Sequence, residues 1–313
     1  MLRRFGACAL FGFLAVAVSA SAQTSPSRHP VPPDGTVKPD QPVRPQVPTL
    51  VPRGTRQPAA RPTTPEPPFR LTPQQSAQVD RILNLWEQRN EKVKTFDCRF
   101  KRWIYDVVFG RANQPKFIES GTIKYASPDR GLFRIETTEK NGKEVAIEDS
   151  RAEHWISDGK SIFEFNPVKK QVIEHKLPKE LQGKAIANSP LPFLFGAKAK
   201  KLKERYFIRI VTPRDVQNQI WLEAYPRHQQ DAANFRRARF VITTQGMSPY
   251  ALEIVQPNGK DFTRYQFYDI VVNDSWRMFK GDPFRAFTPR NWQAIVEESP
   301  TAQAHRAPGG PQR

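Results

Sequence analysis

The sequence predicts an α+β fold: one N-terminal helix followed by a curved antiparallel sheet, with helices covering its concave face. Three observations carry this. A helix-start signal opens an apolar stripe at helical spacing over residues 72–94. From Phe96 onward, apolar residues alternate with polar ones. The turn signals Asp158-Gly159 and Asn258-Gly259 separate successive alternating runs, and strands joined by short turns pair antiparallel.

The elements follow in order. Thr72 can cap a helix, Pro73 suits its first position, and Gln75 completes a capping box. Val79, Ile82, Leu83, Trp86 and Val93 then share one face, which predicts a helix over 73–94. Next, Phe96, Cys98 and Phe100 share one strand face, and Asp97, Arg99 and Lys101 the other. Gly121–Tyr125 and Leu132–Thr137 repeat that alternation. Asp158-Gly159 is predicted as the two-residue turn between His154–Ser157 and Lys160–Phe165. That turn sets Trp155 opposite Ile162, on the face away from Phe163. Further strands are expected at 171–176, 205–212, 219–225, 236–243, 250–256 and 261–272. Between the strand sets, the proline-broken run Ser189–Gly196 reads as a small helix or lid, with a helix over about 190–203. A sheet of roughly ten strands curls. Curling around one or two helices leaves an apolar concavity, either a ligand site or a space filled by side chains as in small barrels.

The 313 residues include 30 prolines and 2 cysteines, and the formal net charge is +18. Residues 1–22 read as a secretory signal: Arg3-Arg4, an apolar run from Phe5 to Val18, and the small-residue site Ala20-Ser21-Ala22. Residues 23–68 hold 14 prolines in 46 positions and almost no aromatic or periodic apolar residues, so they are expected to form an extended spacer without a core. Residues 69–297 make one domain, and 298–313 a short disordered tail. Export leaves Cys98 as a lone cysteine, which reads as a small buried hydrophobe.

The residues that could carry chemistry do not group. Of five histidines, His29 and His305 fall in the ends, and His154, His175 and His228 lack metal-ligand spacing. No phosphate-binding glycine loop, nucleophile elbow or zinc-helix motif appears. Asp158 beside Gly159 reads as a turn former. The sequence therefore predicts a non-enzymatic protein with no cofactor or metal, and an exported chain has no call on nucleic acid. The basic charge lies mainly within 69–297. Lys198, Lys200, Lys201, Lys203 and Arg205 cluster just after the lid segment, and Arg236, Arg237 and Arg239 form a second group. The first cluster is expected to touch anionic lipid head groups or an acidic envelope partner.

Several runs resemble the periplasmic lipoprotein carrier family LolA, with LolB and RseB as relatives of the same fold. Phe96-x-Cys98-x-Phe100 resembles the family's first strand, and Gly121-Thr122-Ile123-Lys124-Tyr125, Pro128 and Phe133-Arg134 the strand, turn and strand that follow. Ser157-Asp158-Gly159-Lys160 with Phe163, Phe165, Asn166-Pro167 and Gln171 is similar to the family's Ser-Asp-Gly hairpin. Pro192-Phe193-Leu194 resembles the start of its central helix. Trp221-Leu222, Pro226, Phe240 to Gly246, Asn258-Gly259 and Tyr265-Gln266-Phe267 resemble the closing strands, and Phe287-Thr288-Pro289 the final one. A likeness to an uncharacterised planctomycete domain rests on Phe109-Gly110, Glu153-His154-Trp155, Leu194-Phe195-Gly196, Arg205-Tyr206 and Gly281-Asp282-Pro283-Phe284.

The resemblance implies an unclosed antiparallel barrel with helices across its mouth and an apolar cavity beneath. It implies an exported monomer that carries or binds an acylated or apolar ligand, a lipoprotein or lipid, in the cell envelope. A sensor or adaptor that binds protein or anionic polymer is the alternative on the same fold. The cavity wall is expected from Phe96, Phe100, Ile123, Phe133, Ile135, Phe163, Phe165, Phe193, Phe195 and Ile208. Carriers of the family hold the lid with an Arg directly before the proline matched by Pro128. Here Ser127 stands in that place, and Arg130 and Arg134 are the nearby candidates to replace it.

Overall fold

A computed structural model describes residues 67–107, 109–111, 114–179, 182–183, 198–274 and 281–298. The first helix, α1 (Pro73–Glu91), begins on the predicted capping box. Thr72 Oγ1 accepts from the Gln75 N–H at 3.2 Å, and Gln75 Oε1 accepts from the Thr72 N–H at 2.9 Å. The helix stops short of residue 94 because Asn273 intervenes. Its Oδ1 accepts from the N–H groups of Lys94 and Thr95 at 2.7 and 3.1 Å, which commits those residues to the strand that follows. Val93 is buried all the same.

The chain then runs through β1 (Thr95–Tyr105), β2 (Phe117–Ala126), β3 (Arg130–Lys140), β4 (Lys143–Ala146), β5 (His154–Ser157), β6 (Ser161–Asn166) and β7 (Gln171–Lys176). Helix α2 (Ala199–Arg205) leads into β8 (Tyr206–Ile210) and β9 (Gln219–Pro226). The short α3 (Gln229–Ala232) precedes β10 (Arg237–Thr243), β11 (Pro249–Val255), β12 (Phe262–Val272) and β13 (Gln293–Glu298). Among the described residues the strands form one sheet in the order β13-β7-β6-β5-β3-β2-β1-β12-β11-β10-β9-β8, with β4 beside β3. The sheet does not close on itself: β13 and β8 are its two ends. Neighbours are antiparallel except β13, which lies parallel to β7.

Four features depart from the sequence reading. Strand β4 was not expected, because all four of its residues are exposed and leave no alternation to read. The last strand is 293–298 rather than 287–289, and Phe287 is an exposed loop residue. The β5–β6 loop is Gly159-Lys160, not Asp158-Gly159. Asp158 Oδ1 accepts from the N–H groups of both Lys160 and Ser161 at 2.8 Å, and Gly159 takes the positive φ of 92°. Trp155 therefore pairs with Glu164 rather than Ile162, and Ile156 pairs with Phe163. The slip is two residues, so Trp155 and Ile162 still share the face opposite Phe163.

One face of the sheet packs against the helices. Val79, Ile82, Leu83 and Trp86 of α1, with Ala199 and Leu202 of α2, join inward residues of β1, β2, β3, β5 and β8–β12 in a single apolar cluster. We call this the inner face. A second, smaller cluster covers the opposite face near β5–β7, where Phe284 seals Ala126, Ile156, Phe165 and Val172.

Gly121 is required at the centre of the inner face. A Cβ there would lie 2.1 Å from the Arg134 carbonyl oxygen and 2.8 Å from Phe100 Cζ. The carbonyl belongs to the neighbouring strand and cannot swing away. Gly121→Ala is therefore expected to lower stability by about 1–3 kcal/mol, read as a lower urea midpoint with an unchanged slope.

Candidate functional site

The inner face is the candidate site. Phe100 is fully buried, stacks on Phe133 with centroids 5.2 Å apart, and meets the Tyr265 ring at a tilt, 5.8 Å away. Phe96, Ile123, Ile135 and Ile208 lie in the same cluster. Six of the predicted wall residues thus come together under α1 and α2. Phe163 and Phe165 do not. They face the other side of the sheet, where Phe165 lies in the smaller cluster and Phe163 packs against it. The physical reason is parity: Phe133 pairs with Trp155, and Trp155 sits on the face opposite Phe163. Phe193 and Phe195 lie outside the described residues, as does most of the expected helix over 190–203.

One end of the inner face is charged. Arg102 follows Phe96, Cys98 and Phe100 on the inward register of β1, and it is only 5% exposed. Its Nε donates to Glu119 Oε2 and its Nη2 to Glu153 Oε1, each at 2.5 Å. Arg151 closes the group by pairing with Glu119, its guanidinium 3.4 Å above the Phe117 ring. Burial lifts the Glu153 carboxyl above its ordinary range against the pull of Arg102. Burial also pushes the nearby Tyr265 hydroxyl up to about 12. Two arginines against two glutamates leave the group neutral, which is what a low-dielectric site demands. The sequence signal was available: an arginine at an inward position must find buried partners. Arg102→Ala strands two buried carboxylates and is expected to cost about 3–5 kcal/mol. Arg151→Ala removes a more exposed side chain and should cost less; chemical unfolding of both variants checks the order.

The basic cluster after the lid is split by its partners. Lys203 pairs with Asp80 of α1 at 2.5 Å. Arg205 is engaged by Asp231, and its guanidinium lies 5.3 Å from the Tyr206 ring centre. Both therefore help to fasten the fold. Glu87 accepts from the Ala199 N–H at 2.9 Å, a second tie between α1 and α2. Lys198, Lys200 and Lys201 are exposed and form no ion pair with a described residue. Arg130 pairs with Asp282 at 3.1 Å and lies over Phe284, and Arg134 is exposed on the same outer side. The lid segment they were expected to hold, 189–196, lies outside the described residues.

The histidines and the cysteine of the sheet pack within it. Among the described residues no group of three or more metal-binding side chains gathers. Burial pushes the Cys98 thiol far above its ordinary range, which keeps it protonated. His175 lies between Glu164 and Glu297, linking β6, β7 and β13, and the hydrogen bond to Glu164 holds its proton above the usual pH. His154 stacks on Phe165 at 4.1 Å. Burial, and then the charge of Arg134, press its pKa down from 6.5 to about 4. The unfolded chain takes up this proton below about pH 6.5 and the folded chain only near 4, so this group costs stability as pH falls through that window. Wild type should lose more stability than His154→Phe between about pH 7 and about pH 5, by up to ~1.4 kcal/mol per pH unit. Equal losses in urea titrations would contradict this.

Comparison with known proteins places this geometry. A family model described as outer membrane lipoprotein carrier protein LolA matches residues 91–280, from the end of α1 past β12. No curated protein matches the chain. Among solved structures, the chain is similar to a conserved protein from Thermus thermophilus, at 12% identity and a TM-score of 0.40, covering 71% of this chain and 100% of that one. It is similar to the lipoprotein LppX of Mycobacterium tuberculosis, at 8% identity and a TM-score of 0.33, covering 62% and 95%. It is also similar to a chain of the Pseudomonas aeruginosa MucA/MucB complex, at 13% identity and a TM-score of 0.35, covering 63% and 58%. The family match spans more than half of the 313 residues, and the chain belongs to the LolA family.

Proposed function

We propose that this protein is an exported, non-enzymatic carrier or binder of an acylated or otherwise apolar ligand, a lipoprotein or lipid of the cell envelope. The observation that carries the reading is the inner face, where Phe96, Phe100, Ile123, Phe133, Ile135 and Ile208 gather beneath α1 and α2 in a chain of the LolA family. Parting the helices from the sheet would offer an acyl chain an apolar wall at about 25 cal/mol per Å² of area removed from water. The buried Trp86 indole N–H has no acceptor among the described residues, and an ester or amide carbonyl of an acylated ligand supplies one. In this reading residues 1–22 direct export, 23–68 are the proline-rich spacer, 69–297 are the binding domain and 298–313 a disordered tail. The protein acts as a monomer without cofactor. Lys198, Lys200 and Lys201 meet the anionic head groups of a membrane beside α2, each contributing on the order of 1 kcal/mol near the surface.

Native mass spectrometry of the full chain purified from its own envelope tests the reading. The expected spectrum holds the bare chain plus species heavier by the mass of an acyl lipid or lipopeptide, which organic extraction removes. A spectrum of bare chain alone, before and after gentle delipidation, would count against a carrier.

A further inference from the structure

We propose that the outer face of β8–β12 is a docking surface for an acidic polypeptide segment. A charged row crosses that face in direct register. Arg209 of β8 opposes Glu223 of β9, Glu223 opposes Arg239 of β10, Arg239 opposes Glu253 of β11, and Glu253 opposes Arg264 of β12. Trp103 of β1 ends the row beside Arg264. Arg237, one pleat away, donates to both glutamates, at 3.1 Å to Glu223 and 2.9 Å to Glu253. Glu223 also takes Arg209 at 2.5 Å and Arg239 at 3.0 Å, and Glu253 takes Arg264 at 2.7 Å.

Two properties set this row apart from an ordinary solvated strand face. First, the charges do not balance: four guanidiniums share two carboxylates. Second, the two signs occupy different depths. The Glu223 side chain is 1% exposed and that of Glu253 12%, whereas the four arginine side chains are 28–54% exposed. The carboxylates lie beneath a layer of guanidiniums, so an approaching partner meets positive charge. Despite its burial, Glu223 is held below the ordinary carboxylate range by hydrogen bonds from Arg209 and Arg239. Glu223 therefore stays ionised and holds the arginines over it in place.

Aromatic rings fix the guanidinium planes from the sides. Arg209 lies 5.0 Å from the Phe69 ring centre, Arg239 5.9 Å from Trp221, and Arg264 5.0 Å from Phe262 and 5.5 Å from Tyr105. Arg239 Nε is buried with no acceptor among the described residues. Each guanidinium has five N–H donors in a planar fork that matches a carboxylate. The row already binds side-chain carboxylates from below, and its outward donors offer the same recognition above. Pre-ordered arginines flanked by Trp and Tyr are the residue types that dominate protein–protein hot spots, which favours an acidic polypeptide over a sugar polymer or a lipid surface. This face lies across the sheet from the proposed ligand site and does not depend on it.

The test titrates the full chain at low salt with a fluorescein-labelled oligo-glutamate peptide, read by anisotropy. Dextran sulfate and phosphatidylglycerol vesicles are titrated in parallel. The peptide is expected to bind, and Arg209→Gln with Arg264→Gln to weaken it by about tenfold or more, ~1.4 kcal/mol. Lys143→Gln with Lys169→Gln removes as much charge from exposed positions off the row, and should change affinity by less than about twofold. Arg264→Gln alone, at the most exposed arginine, should retain the wild-type thermal midpoint and still weaken binding measurably, which separates docking from misfolding. Failure of the peptide to bind, or equal losses in the arginine and lysine variants, overturns the proposal. So does a loss confined to dextran sulfate or vesicles, which would assign the face to a polymer or membrane.

Discussion

Trp86 and Phe240 pack with ring centroids 5.1 Å apart, and the rest of the inner face depends on that contact. A wide sheet with one apolar face cannot stand alone in water; it must bury that face against another layer. Among the described residues two helices supply that layer. Helix α1 supplies Val79, Ile82, Leu83 and Trp86, and α2 adds Ala199 and Leu202. The helices hold each other through Glu87, Asp80 and Lys203. Beneath them Phe100 stacks on Phe133 and meets Tyr265 at a tilt, with Gly121 leaving room for the rings.

The two faces of the sheet use charge in opposite ways. Inside, Arg102, Arg151, Glu119 and Glu153 cancel one another, as buried ions must. Outside, Arg209, Arg237, Arg239 and Arg264 exceed Glu223 and Glu253, and the excess faces water. A strongly basic chain thus places its charge selectively. Part of the basic cluster near α2 is spent on the fold, through Lys203 and Arg205, and part remains exposed at Lys198, Lys200 and Lys201. These are different surfaces, and a partner of each would meet a different side of the molecule.

What could be read from sequence was what local physics decides. Thr72 and Gln75 make their cap within one turn, so the helix start was legible. Alternation placed β1–β3 and β8–β12 to within a few residues, because one side of each faces the core. Strand β4 is exposed on both sides, and β13 pairs in parallel with a strand more than a hundred residues earlier, so neither left a local signature. The β5–β6 turn moved by one residue because Asp158 satisfies two backbone donors rather than occupying the turn itself. Within the site, periodicity gathered Phe96, Phe100, Ile123, Phe133, Ile135 and Ile208, but it could not orient Phe163 and Phe165. Both faces of β6 are covered there, one by the main core and one by Phe284, so alternation did not mark which side was inward. The partners of Arg102 lie 17 and 51 residues along the chain, beyond any short motif.

The cover formed by α1 holds both halves of the sheet in one cooperative unit. Hydrogen exchange on the full chain, comparing wild type with Trp86→Ala, tests it most directly. The variant is expected to lose protection together in α1, in β10 beneath Phe240, and in β1–β3 around Phe100 and Phe133. Loss confined to α1, with the sheet amides as slow as in wild type, would contradict it.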